Sequence, residues 1–305
     1  MKKTLFALAA LAMLAACNKA EVISVDRQAI AFGNAFVENA TKATDPTYGE
    51  VDLTKFNVYG TVTGTAGTVN IFNGVEVTGS VGESVWSYGS AYAQYWIPEA
   101  DYAFAAVVDA TVASDDEYDM PVTLSTVVDE DGNLKDMLYA TATVANATAD
   151  QGPVNFTFNH LLSKAQFTVT SNAQGGYHHT VTGIKVSNFE TGTYTIANES
   201  WAGTTAKNIE FGNVENVTAA DTDGKTNETQ MLLVPNAATF NVTFTVDLYK
   251  GTTKLGTETK TIAVDTDLVK GNAYNFTIEC SVGNAIQFTV TNDPSWADES
   301  NVTIQ

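Results

Sequence analysis

The sequence predicts an all-β protein of two antiparallel β-sandwich domains in series, and three observations carry that prediction. Apolar residues recur at every second position in short runs along most of the chain. Gly, Asn, Asp and Pro punctuate those runs every ~8–12 residues, the spacing of sandwich strands. Beyond residues 1–16, no stretch sustains a 3.6-residue period. With 305 residues the chain is long enough for about two domains. Hydrophobic residues make up 44% and charged residues 16%, a balance that suits a packed core and argues against disorder.

The first element is an address. Lys2 and Lys3 precede an apolar run from Leu5 to Leu14, which is shorter than the ~20 residues that span a bilayer. Leu14-Ala15-Ala16-Cys17 follows and matches a bacterial lipobox, so residues 1–16 read as a lipoprotein signal and Cys17 as the lipidated residue. Acyl chains there would anchor the protein at ~0.8 kcal/mol per buried CH₂. The other cysteine, Cys280, then has no disulfide partner and reads as a small buried residue.

Residues 17–42 form the second segment. Ala29–Val37 reads as a strand with Ile30, Phe32 and Phe36 on one face. Arg27, the sole arginine, precedes it, and Lys42 follows it in a polar turn. Residues 43–153 form an N-terminal sandwich. Within it, Asn73-Gly74 lies between Val69–Phe72 and Val75–Val77 and predicts a tight hairpin, because both turn positions need φ > 0. The stretch from Trp86 to Val108 is rich in aromatics, among them Trp86, Tyr88, Tyr95 and Trp96. Such residues serve either as core and rim or as a sugar-stacking platform.

Gln151-Gly152-Pro153 marks a break, and residues 154–305 read as a second sandwich. Its alternating runs include 165–169, 184–186, 240–246 and 273–278. The last, Ile286, Phe288 and Val290, has the same period-2 spacing as Ile30, Phe32 and Phe36. It is read equally as the closing strand of its own domain or as a strand donated elsewhere.

The chemistry of enzymes is missing from the pattern. No nucleophile elbow, phosphate loop or His-Glu-x-x-His helix occurs. Asp129–Asn133 and Asp221–Gly224 begin like calcium loops, but Leu134 and Ala140 stand at the sixth and twelfth positions of the first, and Leu232 at the twelfth of the second. Both read as turns. His178 and His179 are adjacent, so on a strand they point to opposite faces and make a poor metal site. No cofactor, metal or catalytic residue is expected. The net charge of -20 repels phosphate backbones, which excludes nucleic acid as a partner.

The order of several short strings resembles the fimbrillin family, the lipoprotein pilin precursors of Bacteroidota. The strings are the lipobox Cys17, Ile30-x-Phe32, Thr41-Lys42-Ala43, Phe56-Asn57-Val58-Tyr59-Gly60, Trp86-Ser87-Tyr88 and Tyr95-Trp96. In the second half they are His160–Phe167, Leu233-Val234-Pro235, Tyr274–Ile278 and Trp296. Many relatives carry Arg where this chain has Lys42. The resemblance implies two transthyretin-like domains, an outer-membrane lipoprotein at the cell surface, and a place in a fimbrium after assembly. It also implies cleavage by a trypsin-like protease after a basic residue, here Lys42 or Arg27. Loss of the first strand would open a groove that a segment of another subunit fills by strand addition. The implied partners are other pilin subunits, that protease, the membrane through Cys17, and a host or bacterial surface ligand. The alternative reading is a surface-anchored glycan-binding lipoprotein. Exposure of Trp86, Tyr95 and Trp96 on one flat face would favour it.

Overall fold

The computed structural model describes residues 28–37, 53–80, 84–114, 120–227 and 229–293. The described chain is all-β, and its only helical turns are two short 3-10 turns at Ser90–Tyr92 and Ile196–Asn198. The strands in the first half are β1 (Phe32–Val37), β2 (Lys55–Gly64), β3 (Gly67–Thr78), β4 (Ser87–Tyr88), β5 (Asp101–Val108), β6 (Ala110–Ala113), β7 (Thr123–Thr126), β8 (Leu138–Val144) and β9 (Val154–His160). Those in the second half are β10 (Ser163–Ser171), β11 (Tyr177–Thr195), β12 (Ser200–Val217), β13 (Lys225–Thr226), β14 (Met231–Leu233), β15 (Phe240–Lys250), β16 (Thr253–Val264), β17 (Ala273–Cys280) and β18 (Gln287–Asp293).

Alternation decides which faces are buried. In β9, Val154, Phe156 and Phe158 point inward while Asn155, Thr157 and Asn159 face solvent, as a half-buried strand requires. One seven-stranded sheet has the order β1-β9-β8-β5-β2-β3-β4. Its two ends meet, because Phe32 of β1 also bridges Trp86, the residue just before β4. The sheet therefore curls around one core that contains Phe32, Phe56, Phe72, Trp86, Phe104 and Phe156. A five-stranded sheet (β13-β10-β17-β18, with β14 on β10) faces a six-stranded sheet (β16-β15-β11-β7-β6, with β12 on β11). Between them lies a second core around Phe167, Phe211, Phe244 and Phe276. A third cluster, including Val107, Leu124, Met137, Leu162 and Val234, joins elements of both halves.

Three sequence expectations are corrected here. The break at Gln151–Pro153 does not divide the sheets: β9 follows it and belongs to the first sheet, while β6 and β7 precede it and extend a sheet of the second half. Nor is the pairing wholly antiparallel, since β1/β9 and β10/β17 are parallel. Finally, Asn73-Gly74 is not a hairpin tip. The β2–β3 turn falls between Gly64 and Gly67, and β3 runs on through residue 74. Asn73 and Gly74 stand together opposite Tyr59 as a bulge, with Gly74 at φ +66°. A bulge glycine and a hairpin glycine meet the same demand for positive φ, so the dipeptide alone could not separate them.

Candidate functional site

The site with the most distinctive construction is the seat of β1. The strand is held on both flanks. On one side it pairs in parallel with β9, and the Val154 N–H donates to the Ala31 carbonyl at 2.8 Å. On the other side the Trp86 N–H donates to the Phe32 carbonyl at 2.8 Å. The Ile30 N–H donates to the Gln94 carbonyl at 2.8 Å, and the Trp96 N–H to the Gln28 carbonyl at 3.2 Å. The Tyr88 hydroxyl adds a 2.6 Å bond to the Ile30 carbonyl. Burial raises the Tyr88 pKa, which keeps that hydroxyl protonated and able to donate.

Side chains fix the strand further. Ile30 and Phe32 are fully buried. The Phe32 ring lies 5.4–6.3 Å from the rings of Phe56, Phe72, Tyr88, Phe104 and Phe156, four of the five edge-on. Edge-on contacts set the positive ring edge against a negative face. Burying an Ile or Phe side chain contributes about 1.5–3 kcal/mol each. Gly33 is required by close approach: a Cβ there would clash with Asn155 Oδ1 and lie 3.1 Å from Pro153 Cβ.

Phe36 departs from expectation. It is 48% exposed, and Ala35 is buried in its place. The cause is a register shift between Phe32 and Ala35, where three steps along β1 match two along β9. One extra residue flips every side chain beyond it to the other face. Ile30 and Phe32 thus share the core face, and Phe36 does not.

The aromatic stretch is mostly core. Trp86 and Trp96 are buried, and Tyr95 is 50% exposed, so the three do not form a flat exposed platform. Trp86 packs against Phe56 at 5.2 Å and Trp96 against Tyr102 at 4.7 Å.

The second segment of interest, β18, sits differently. Among the described residues it pairs only with β17 and forms the rim of the five-stranded sheet. Phe288 stacks 6.2 Å from Phe244 and 6.1 Å from Phe276; Val290 is buried and Ile286 half-buried against the same core. In this structure it closes its own sandwich. Cys17, Arg27 and Lys42 lie outside the described residues.

The remaining polar candidates have structural explanations. Asp129 accepts from the N–H groups of Asp131 and Asn133, both at 2.9 Å, and the Asn133 bond does most to lower its pKa. Asp221 accepts from the Thr218 N–H at 2.8 Å, with the same effect. Both carboxylates thus order turns. His178 stacks on Tyr249 at 5.1 Å, whereas His179 is buried with Nδ1 2.7 Å from Ser171 Oγ. No group of three or more ligating side chains converges among the described residues. Nor is any described helix long and apolar enough to cross a membrane.

Sequence reasoning missed the clamp on β1. Gln94 contributes only a backbone carbonyl, which no side-chain pattern encodes, and Gly33 gives no signal apart from being a glycine inside a strand. Trp86-Ser87-Tyr88 was visible as a string without its role.

The sequence profile of fimbrillin-like proteins matches residues 41–294, most of the chain. The chain belongs to the fimbrillin-like family. No curated protein sequence matches it. Solved structures share the fold of this fimbrillin-like chain. A fimbrial protein of Bacteroides vulgatus superposes with a TM-score of 0.60 at 14% identity, over 87% of this chain and 99% of that one. A candidate cell adhesion protein of Bacteroides ovatus gives 0.56 at 14% identity, over 90% and 99%. Another from Bacteroides uniformis gives 0.53 at 18% identity, over 88% and 98%.

Proposed function

We propose that this chain is a structural fimbrial subunit whose first strand is a removable placeholder. The observation that carries the reading is the two-sided seat of β1. Taking out a strand bonded to β9 on one flank and to residues 86–96 on the other leaves two open edges facing each other across an aromatic slot. An incoming extended segment would regain main-chain bonds on both flanks and fill the Ile30 and Phe32 positions with its alternate side chains. An open slot of this kind is prone to aggregation, which couples strand removal to assembly.

The order of events follows from the N-terminal segment. Lipidation of Cys17 would hold the exported chain at the outer membrane. Cleavage after Lys42 would release Cys17 and β1 together, whereas cleavage after Arg27 would leave β1 attached. The family match begins at residue 41, beside Lys42, so β1 falls outside the matched portion. This supports Lys42 as the cut. Ile286, Phe288 and Val290 are the candidate donor side chains in this chain. They would serve as donor only by leaving the rim of their own sheet. The two sandwiches are read as transthyretin-like, and the partners as other subunits, a trypsin-like protease and a surface ligand. Burial of Trp86 and Trp96 weighs against the glycan-platform alternative.

Limited trypsin digestion of the mature chain, followed by N-terminal sequencing and electron microscopy, tests the reading. The expected product starts at Ala43 and forms filaments. A product that starts at Ala43 and stays monomeric on its own and with other subunits would refute strand addition. A chain left intact, or cut only after Arg27, would refute Lys42 as the release point.

A further inference from the structure

The longest strands of the molecule, β11 and β12, form a ribbon whose outer edge is unevenly covered. Toward its C-terminal end β12 is capped: Asn227 Nδ2 donates to the Phe211 carbonyl, and Lys225 Nζ to the carbonyls of Glu215 and Asn216. Between Ser200 and Asn208, β12 pairs with β11 and, among the described residues, with no other strand. Another edge strand of the same sheet, β16, carries Lys254, Glu258 and Lys260, the charges that normally guard an edge. Ser200–Ala206 carries none. The Gly192 N–H donates to Thr126 Oγ1, away from β12, so Gly203 opposite it turns its own N–H and carbonyl to the open edge.

We propose that this edge pairs with the same edge of a second copy of the chain, antiparallel and two-fold symmetric about Thr204. The sequence is self-complementary about that point. Thr204 meets Thr204, Gly203 meets Thr205, Ala202 meets Ala206, and Trp201 meets Lys207. No like charges face each other, and small side chains fill the centre. An isologous pairing of this kind closes as a dimer. Thr205 is the one β-branched residue among the described positive-φ residues, at φ +51°. Pairing with Gly203 returns it to extended backbone, so its kink guards the edge until a partner arrives. The contact belongs to the second half of the chain and does not depend on removal of β1. In a fimbrium it would join subunits side by side.

The test uses the uncut mature chain with Cys17→Ser. Sedimentation should show a concentration-dependent dimer that strengthens with salt, because each copy is strongly acidic. Thr204→Lys should abolish it with the melting temperature unchanged. In the paired state Thr204 faces its own copy at a non-hydrogen-bonded position about 4.5 Å apart, within disulfide range. Thr204→Cys should therefore cross-link on the order of tenfold faster than Leu255→Cys, an exposed position on β16. A chain that stays monomeric at high concentration and high salt, or equal cross-linking rates at the two positions, would overturn the proposal.

Discussion

β1 and β18 are both short strands that set a phenylalanine against an aromatic core, yet they are held in opposite ways. β1 is a stave inside a closed sheet, bonded on both flanks and caged by five rings. β18 is zipped to β17 along one side, and its Phe288 meets two rings. Removing a stave opens a slot with two edges and a core-deep hole. Removing a rim strand moves the rim inward by one strand and uncovers β17. The first change creates a specific receptor; the second creates a generic edge. A protein that exchanges strands needs its receptor to be shaped and its donor to be detachable. On the proposed assembly, the seat of β1 would be the shaped receptor and β18 the detachable segment.

The largest test of that contrast is truncation of matched rings. Phe32→Ala should cost about 3–5 kcal/mol, the usual range for a fully buried Phe. Phe288→Ala, at a half-buried rim position, should cost roughly half as much, and Phe36→Ala, on the exposed side of the bulge, within about 0.5 kcal/mol. Urea denaturation of the three variants checks the ranking. Equal losses at Phe32 and Phe288 would erase the distinction between stave and rim.

How much of this was legible in the sequence can be traced residue by residue. Period-2 alternation gives the all-β class and the burial of Ile30 and Phe32, while turn residues give the turn character of the Asp129 and Asp221 loops. It failed at Phe36 because one inserted residue reverses parity, and alternation assumes that none is inserted. It failed at Gly74 because bulge and turn make the same backbone demand. The domain break misled for another reason. Pro153 packs beside Gly33 at the entry of β9, so a residue that looks like a linker belongs to the seat of β1. Parallel pairing of β1 with β9 joins residues more than a hundred apart, and nothing local records which strand will lie alongside. Apart from the Tyr88 hydroxyl, the clamp at residues 86–96 acts through backbone carbonyls and N–H groups, which carry no residue identity.

A smaller effect separates the hydrogen bonds of the seat from its packing. Tyr88→Phe keeps the ring against Phe32 and Phe72 and removes the hydroxyl, which donates to the Ile30 carbonyl and accepts from the Gln94 backbone N–H. The expected loss is about 1–2 kcal/mol, two net hydrogen bonds. Hydrogen exchange should localise it to residues 28–32, with β17 and β18 unchanged. A loss spread over both halves would mean that the seat is not an independent unit.

The finest probe loosens the half that carries β18 and spares β1. His179 lies in β11, buried near Ser171, and burial, with His178 adding to it, lowers its pKa from 6.5. The folded chain therefore holds this imidazole neutral while the unfolded chain protonates it below about pH 6.5. In that range the unfolded state binds more protons, so stability falls as pH drops. For one group the slope is at most about 1.4 kcal/mol per pH unit. Between about pH 6.5 and 5 the depressed carboxylates, Asp129 and Asp221 among them, are still ionised and contribute little. His179→Gln should flatten the acid slope in that window, read by urea denaturation at several pH values. Exchange at β17 and β18 should rise with acid in the unsubstituted chain while that at β1 stays level. An equal rise at β1 would show that the two halves unfold as one, and the detachable rim would then have no separate stability to lose.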